Sequence, residues 1–180
     1  FEDLCREEIV SHADGFPYYA HLYALHCSQA AIRDGRATVT LDDFYGALDQ
    51  ILESCAGTLK ESYGRAIRGR GQPAIRQGVL AALANGERIE ISQDEVLRAF
   101  LALHPHYERV GRVRFVAKQL KEFREEFAIL EQAWLDDGTP AYRFRDPLMR
   151  VYIRLRTLRD RRAAAAAWAS SLPILPDGGV

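Results

Sequence analysis

Within 180 residues whose apolar side chains otherwise recur at helical spacing, one stretch alternates: Tyr142 and Phe144 with Arg143 and Arg145, directly after Asp136-Asp137-Gly138-Thr139-Pro140. Alternation of period two behind a turn rich in Asp, Gly and Pro marks the second strand of a hairpin, and Ile129 to Leu135 supplies the first. An isolated hairpin is barely stable in water, so this one must close on helices. The rest of the chain has to provide them.

The segments on either side do so. Pro73 opens a helix carrying Ile75, Val79, Leu80 and Leu83 that stops at Asn85-Gly86. A short β-like run, Arg88 to Ile91, leads into Ser92-Gln93-Asp94-Glu95, a capping box ahead of Val96, Leu97, Phe100 and Leu101, and His104-Pro105 ends that helix. A third helix starts near Arg112, with Val113, Val116, Leu120, Phe123 and Phe127 on one face; its period continues through Leu130 and Trp134, and an end near Phe127 is expected. Helix, short strand, helix, helix, hairpin is the order of a winged-helix domain. Asp146 to Asp160 adds a closing helix with Leu148, Tyr152, Leu155 and Leu158, interleaved with Arg150, Arg154, Arg156 and Arg159. The domain is expected over residues 71–162, and the Ala-rich, then Pro-rich residues 163–180 read as a frayed helix end or linker.

The first 70 residues read as a separate helical bundle. An acidic segment with Leu4 and Ile9 ends at Asp14-Gly15; Pro17 opens a second helix whose face is Tyr18, Leu22, Leu25 and Ile32, closing at Asp34-Gly35. Thr40 to Asp43 caps a third helix carrying Leu41, Phe44, Leu48, Ile51 and Cys55. From Gly57 to Gln72 the pattern loosens, and the run from Arg65 to Pro73 reads as a basic, Gly-punctuated connector, with a hinge expected between Arg68 and Pro73. The expected fold class is mainly α: a small helical, lid-like bundle followed by a winged-helix domain with a short β-hairpin.

Charge divides the chain in the same place. Residues 1–64 hold four basic against eleven acidic side chains, a net of −7, and the remainder is +6, although the whole carries only −1. Clustered Lys and Arg attract phosphate, so the second module is the one with anionic neighbours. Three widely spaced cysteines, Cys5, Cys27 and Cys55, argue for reduced thiols, and no apolar run reaches the roughly 20 residues of a membrane helix. A cytoplasmic protein with no membrane partner is expected. The chain begins with Phe1 and its only Met is Met149, which reads as a fragment of a longer protein.

Two strings carry a family resemblance. Residues 13 to 25, ADGFPYYAHLYAL, resemble the lid-helix segment of AAA+ ATPases of the origin-recognition type and the Gly-x-Pro element of the related STAND ATPases; YRFRDPLMRVY, Tyr142 to Tyr152, is similar to the end of the winged-helix domain that follows the lid in many bacterial members. VTLDDF, residues 39–44, sits where such lids begin their last helices. The resemblance implies a lid and winged helix whose partner is a missing N-terminal P-loop core, with ATP and magnesium bound by the full-length protein and no cofactor by this fragment. It also implies that Gly15, Phe16, Pro17 and Tyr18 approach the nucleotide, where a helix start attracts anions. Relatives of the origin-recognition type place an arginine after the Gly-x-Pro; here Tyr18 and Tyr19 stand there and bring no charge, so the STAND-like form fits better. On turn chemistry alone, Gly15 to Pro17 is a plain helix-to-helix turn.

No Gly-x-x-x-x-Gly-Lys-Ser/Thr loop occurs, so the fragment itself is not expected to be an enzyme. A winged helix inserts its second helix-turn-helix helix into the major groove. Arg109, Arg112, Arg114, Lys118 and Lys121 on that helix, with Arg143 and Arg145 on the wing, are the candidate nucleic-acid residues for DNA or RNA. Against them, Glu122, Glu125 and Glu126 give the helix the mixed charge of an ordinary solvated face, which suits a protein partner. His104-Pro105-His106 lacks the further ligands of a zinc site, and no catalytic residue stands out. The reading is the C-terminal part of a P-loop ATPase that couples lid movement to nucleic acid or a protein partner. The alternative is a self-contained winged-helix transcription regulator whose N-terminal bundle dimerises.

Overall fold

Local sequence signals set several of the helix starts. In a computed structural model of the chain, which describes residues 1–69, 72–105 and 113–171, Pro17 and Pro73 stand at the first positions of their helices, where a missing N–H costs nothing. Two reciprocal capping boxes open others. The Asp43 amide donates to Thr40 Oγ1 at 3.4 Å while the Thr40 amide donates to the Asp43 carboxylate at 2.8 Å, and Ser92 and Glu95 repeat the pattern at 3.3 and 2.9 Å. The helices are α1 (Asp3–Ala13), α2 (Pro17–Arg33), α3 (Leu41–Gly46), α4 (Leu48–Ser54), α5 (Gly57–Arg68), α6 (Pro73–Ala84), α7 (Gln93–Leu103), α8 (Val113–Glu125) and α9 (Pro147–Ser171). The strands are β1 (Ile91–Ser92), β2 (Leu130–Trp134) and β3 (Pro140–Phe144).

The three strands form one antiparallel sheet in the order β1-β3-β2, with Ile91 opposite Tyr142 and Leu130 to Trp134 opposite Phe144 to Pro140. Its buried side chains are Leu130 and Phe144, paired on one face, and Ala133 and Ala141, paired on the other. The chain is mainly α: a small helical bundle, α1 to α5, followed by a winged region, α6 to β3. The closing helix α9 packs against α1, α4, α5, α6 and β3, and one apolar core runs from Cys5 to Leu155.

Several expectations need correction. The inner face of α2 is Tyr19, Tyr23, Cys27, Ala30 and Ala31, not Tyr18, Leu22, Leu25 and Ile32. Both sets lie at helical spacing, but the small residues let α1 approach while Tyr19, Tyr23 and Phe44 stack at 5.4 to 6.4 Å. The expected third helix breaks at Ala47 into α3 and α4. Residues 57–68 are the helix α5, with Leu59, Tyr63, Ala66 and Ile67 buried at steps of four, three and one, in place of a connector; its glycines masked that period. Arg70 and Gly71, in the middle of the expected hinge, lie outside the described residues. The first strand begins only at Ile91, and the expected frayed end after Arg162 continues helically to Ser171.

A buried arginine joins α5 and α6 to α8. Arg76, wholly buried, donates from Nε to the Ala66 carbonyl at 2.5 Å and from Nη1 to Glu122 Oε2 at 2.6 Å, its guanidinium 4.8 Å from the rings of both Phe123 and Phe127. The three cysteines are buried free thiols, and burial pushes Cys27 up to about 12. Among the described residues no helix is long and apolar enough to cross a membrane.

Candidate functional site

The turn between α1 and α2 sits where the bundle meets the sheet. Asp14 ends α1 in the left-handed region, φ 52°, and Gly15 follows at φ 79°; a side chain at Gly15 would meet no atom, so the requirement there is conformational rather than spatial. Phe16, which precedes the first turn of α2, packs on the core and donates its amide to the Ala13 carbonyl at 2.8 Å. Pro17 has no N–H, and the Tyr19 and Ala20 amides donate to the Phe16 carbonyl at 3.1 and 3.2 Å. This helix start therefore offers an anion fewer free donors than most. Tyr18 turns away along the bundle, donating its hydroxyl to the Ser54 carbonyl at 3.4 Å.

What fixes this turn is a pair of arginines one helical step apart on α9. Arg150, almost wholly buried, donates to Asp14 Oδ2 at 2.9 Å, to the Gly86 carbonyl at 2.7 Å and to the Ala84 carbonyl at 3.2 Å, satisfying carbonyls left open at the end of α6. Arg154 Nη1 lies 3.2 Å from Asp14 Oδ1. Burial lowers the Arg150 guanidinium from its usual value and the Asp14 carboxylate opposes that shift. Tyr19 adds a further tie, its hydroxyl donating to the Leu148 carbonyl at 3.0 Å. The α1–α2 turn is thus fastened to the helix that follows the wing.

A cleft of about 420 Å³ opens beside this latch, lined by Asp14 and Phe16 from the turn and by Ile89, Glu90, Arg143 and Arg145 among others from the sheet side. Of the candidate residues, it brings Phe16 together with Arg143 and Arg145; Lys118 and Lys121 take no part in it. Arg143 is held between two carboxylates, Glu131 Oε1 at 2.6 Å and Glu90 Oε1 at 3.2 Å, and these raise its pKa. Glu131 is its cross-strand partner on β2. Arg145 is exposed at the rim, and no bond of its side chain to another described residue is found.

On α8, Lys118 and Lys121 stand one turn before Glu122 and Glu125, each 3.8 Å away, a spacing at which exposed pairs interact weakly. Arg109 and Arg112 lie outside the described residues, as does the side chain of Arg114. Of the His104-Pro105-His106 run, His106 also lies outside them, and among the described residues no group of three or more metal-ligating side chains assembles. Sequence reasoning passed over Asp14, Glu90, Glu131, Arg150 and Arg154. The four-residue step between Arg150 and Arg154 was visible, but their target lies 136 residues before Arg150. No family model, curated protein or solved structure matches this chain.

Proposed function

We propose that this chain is the lid and winged-helix part of a P-loop ATPase, in which movement of the bundle on nucleotide is carried to a partner held by the winged region. The resemblance of residues 13–25 and 142–152 motivates the reading, and one observation carries it: Asp14, in the turn expected to face nucleotide, is gripped by Arg150 and Arg154 on the helix that leaves the wing. Two charge-assisted contacts to one carboxylate make the turn and α9 move as a unit. ATP and magnesium would be held by the P-loop core, and the present residues hydrolyse nothing alone.

For the winged region a protein partner is favoured over nucleic acid. Arg143, the cation at the centre of the wing, is held by two carboxylates, which mutes the charge that strand β3 offers a phosphate. Two experiments test the reading. The coding sequence upstream of Phe1 should contain a P-loop within roughly 250 residues, one or two domains' length; its absence would turn the reading to the self-contained transcription regulator. A gel-shift titration of a DNA duplex should show only weak retention that vanishes with added salt. Tight retention that falls on replacing Arg114, Lys118 and Arg143 together would restore the nucleic-acid interface.

A further inference from the structure

Helix α2 has two apolar faces. The inner one, Tyr19, Tyr23, Cys27, Ala30 and Ala31, is buried against the bundle. On the opposite side Tyr18, Leu22, Leu25 and Ile32 follow steps of four, three and seven, with exposed Gln29 between the last two; Leu22 packs partly on the core, and the others are open to solvent: Tyr18 at 38%, Leu25 at 51% and Ile32 at 73% exposure. A surface helix normally carries one apolar stripe, and a helix apolar on both sides is normally covered on both.

The size and charge of the stripe restrict what covers it. From Tyr18 to Ile32 it runs about 21 Å, one helix wide, which falls short of the ~800 Å² per partner of a standard protein–protein interface and matches a single docked helix. The helices packed against α2 are acidic. Glu7 is exposed on α1 and Glu53 on α4, beside the Ser54 whose carbonyl accepts from Tyr18 at 3.4 Å, while exposed Asp3 and Asp49 are paired with Arg6 at 3.2 Å and Arg159 at 3.0 Å. The first 64 residues carry a net charge of −7, which Arg150, Arg154 and Arg159 of α9 offset only in part, so a second copy docked here would set like charge against like.

We propose that this face of α2 is a docking site for a basic amphipathic helix of a partner protein, its apolar residues on Leu22, Leu25 and Ile32 and its lysines or arginines toward α1 and α4. The site stands independently of the ATPase reading. An amphipathic helix of Leu and Lys, about 18 residues long with Leu at i, i+3, i+4 and i+7, serves as the probe. Fluorescence anisotropy with the full chain should show binding at least tenfold tighter than for a scrambled peptide of the same composition or a Leu and Glu analogue. It should weaken between about 50 and 300 mM salt. Leu25→Ser with Ile32→Ser should reduce affinity at least tenfold with the thermal midpoint and circular dichroism unchanged, both side chains being exposed. On the unaltered chain the peptide should slow hydrogen exchange in α2 and α4. Equal binding of the scrambled peptide, a footprint elsewhere, an unaffected double variant, or a chain dimer abolished by that variant would each overturn the proposal.

Discussion

Asp43 is nearly buried, and its carboxylate accepts from Arg36 Nη1 at 2.7 Å, Arg36 Nη2 at 2.5 Å and the Thr40 amide at 2.8 Å. The Arg36 hydrogen bonds, more than any other cause, hold its carboxyl well below the usual carboxylate range against the cost of burial. A depressed folded pKa stabilises at every pH above the unfolded value of about 4, and that stability drains away as pH falls through and below it. Arg36 is itself over a third exposed, so water screens the ion pair, and most of the effect resides in the helix cap and the buried hydrogen bonds. Asp43→Ala is expected to cost on the order of 2 kcal/mol at neutral pH. Urea unfolding at stepped pH should show the gap between this variant and the natural chain narrowing from about pH 5 to pH 2; a constant gap would deny the carboxylate this role. Glu95, lowered chiefly by the Ser92 hydroxyl, acts in the same direction at the start of α7.

Among the elements, α5 separates what local chemistry announces from what packing decides. Gly64 lies inside this helix, and a methyl group there would meet only the mobile end of Arg68 at 3.4 Å. Gly69, just past the helix, is pressed against the Phe127 ring and the Arg76 guanidinium, at 2.6 and 2.8 Å from where a Cβ would stand. Gly64→Ala should therefore stabilise by about 0.5–1 kcal/mol, while Gly69→Ala should destabilise by about 1–3 kcal/mol. Thermal midpoints that move together would refute the helix assignment. The caps at Thr40 and Ser92 and the Pro starts at Pro17 and Pro73 were legible because their partners lie within a few residues. The hairpin was legible because its turn is explicit. The buried face of α2 was not, since two sets of residues share one period and only the neighbouring helices choose between them. Helix α5 was hidden because glycine composition spoke louder than the spacing of Leu59, Tyr63 and Ala66. At the candidate site, the charges of Arg143 and Arg145 were plain, yet the neutralising Glu131 becomes its neighbour only once the strand register is known. The latch on Asp14 depends on α9 returning across the bundle, which no local pattern records.

At the scale of the whole molecule, α9 connects the two regions of opposite charge. It contacts α1, α4 and α5 on one side and α6 and β3 on the other; Tyr152 meets Tyr63 edge-on at 5.6 Å, and Arg156 lies 4.9 Å over the Tyr63 ring. Long-range contacts of this kind lead to the expectation that the bundle and the winged region unfold as one cooperative unit. Asp14→Asn probes that union with little disturbance, since asparagine keeps the shape and tolerates the left-handed backbone while removing the charge that Arg150 and Arg154 share. Leaving two partly buried guanidinium groups without their carboxylate should cost about 1–3 kcal/mol. The informative measurement is native-state hydrogen exchange in both regions. If the regions unfold as one, the most protected amides of α2 and of α8 lose the same free energy in the variant, although residue 14 belongs to the bundle. Should α2 weaken while α8 keeps its full protection, the latch is a local clasp, and the coupling between turn and wing that the proposed function requires does not exist.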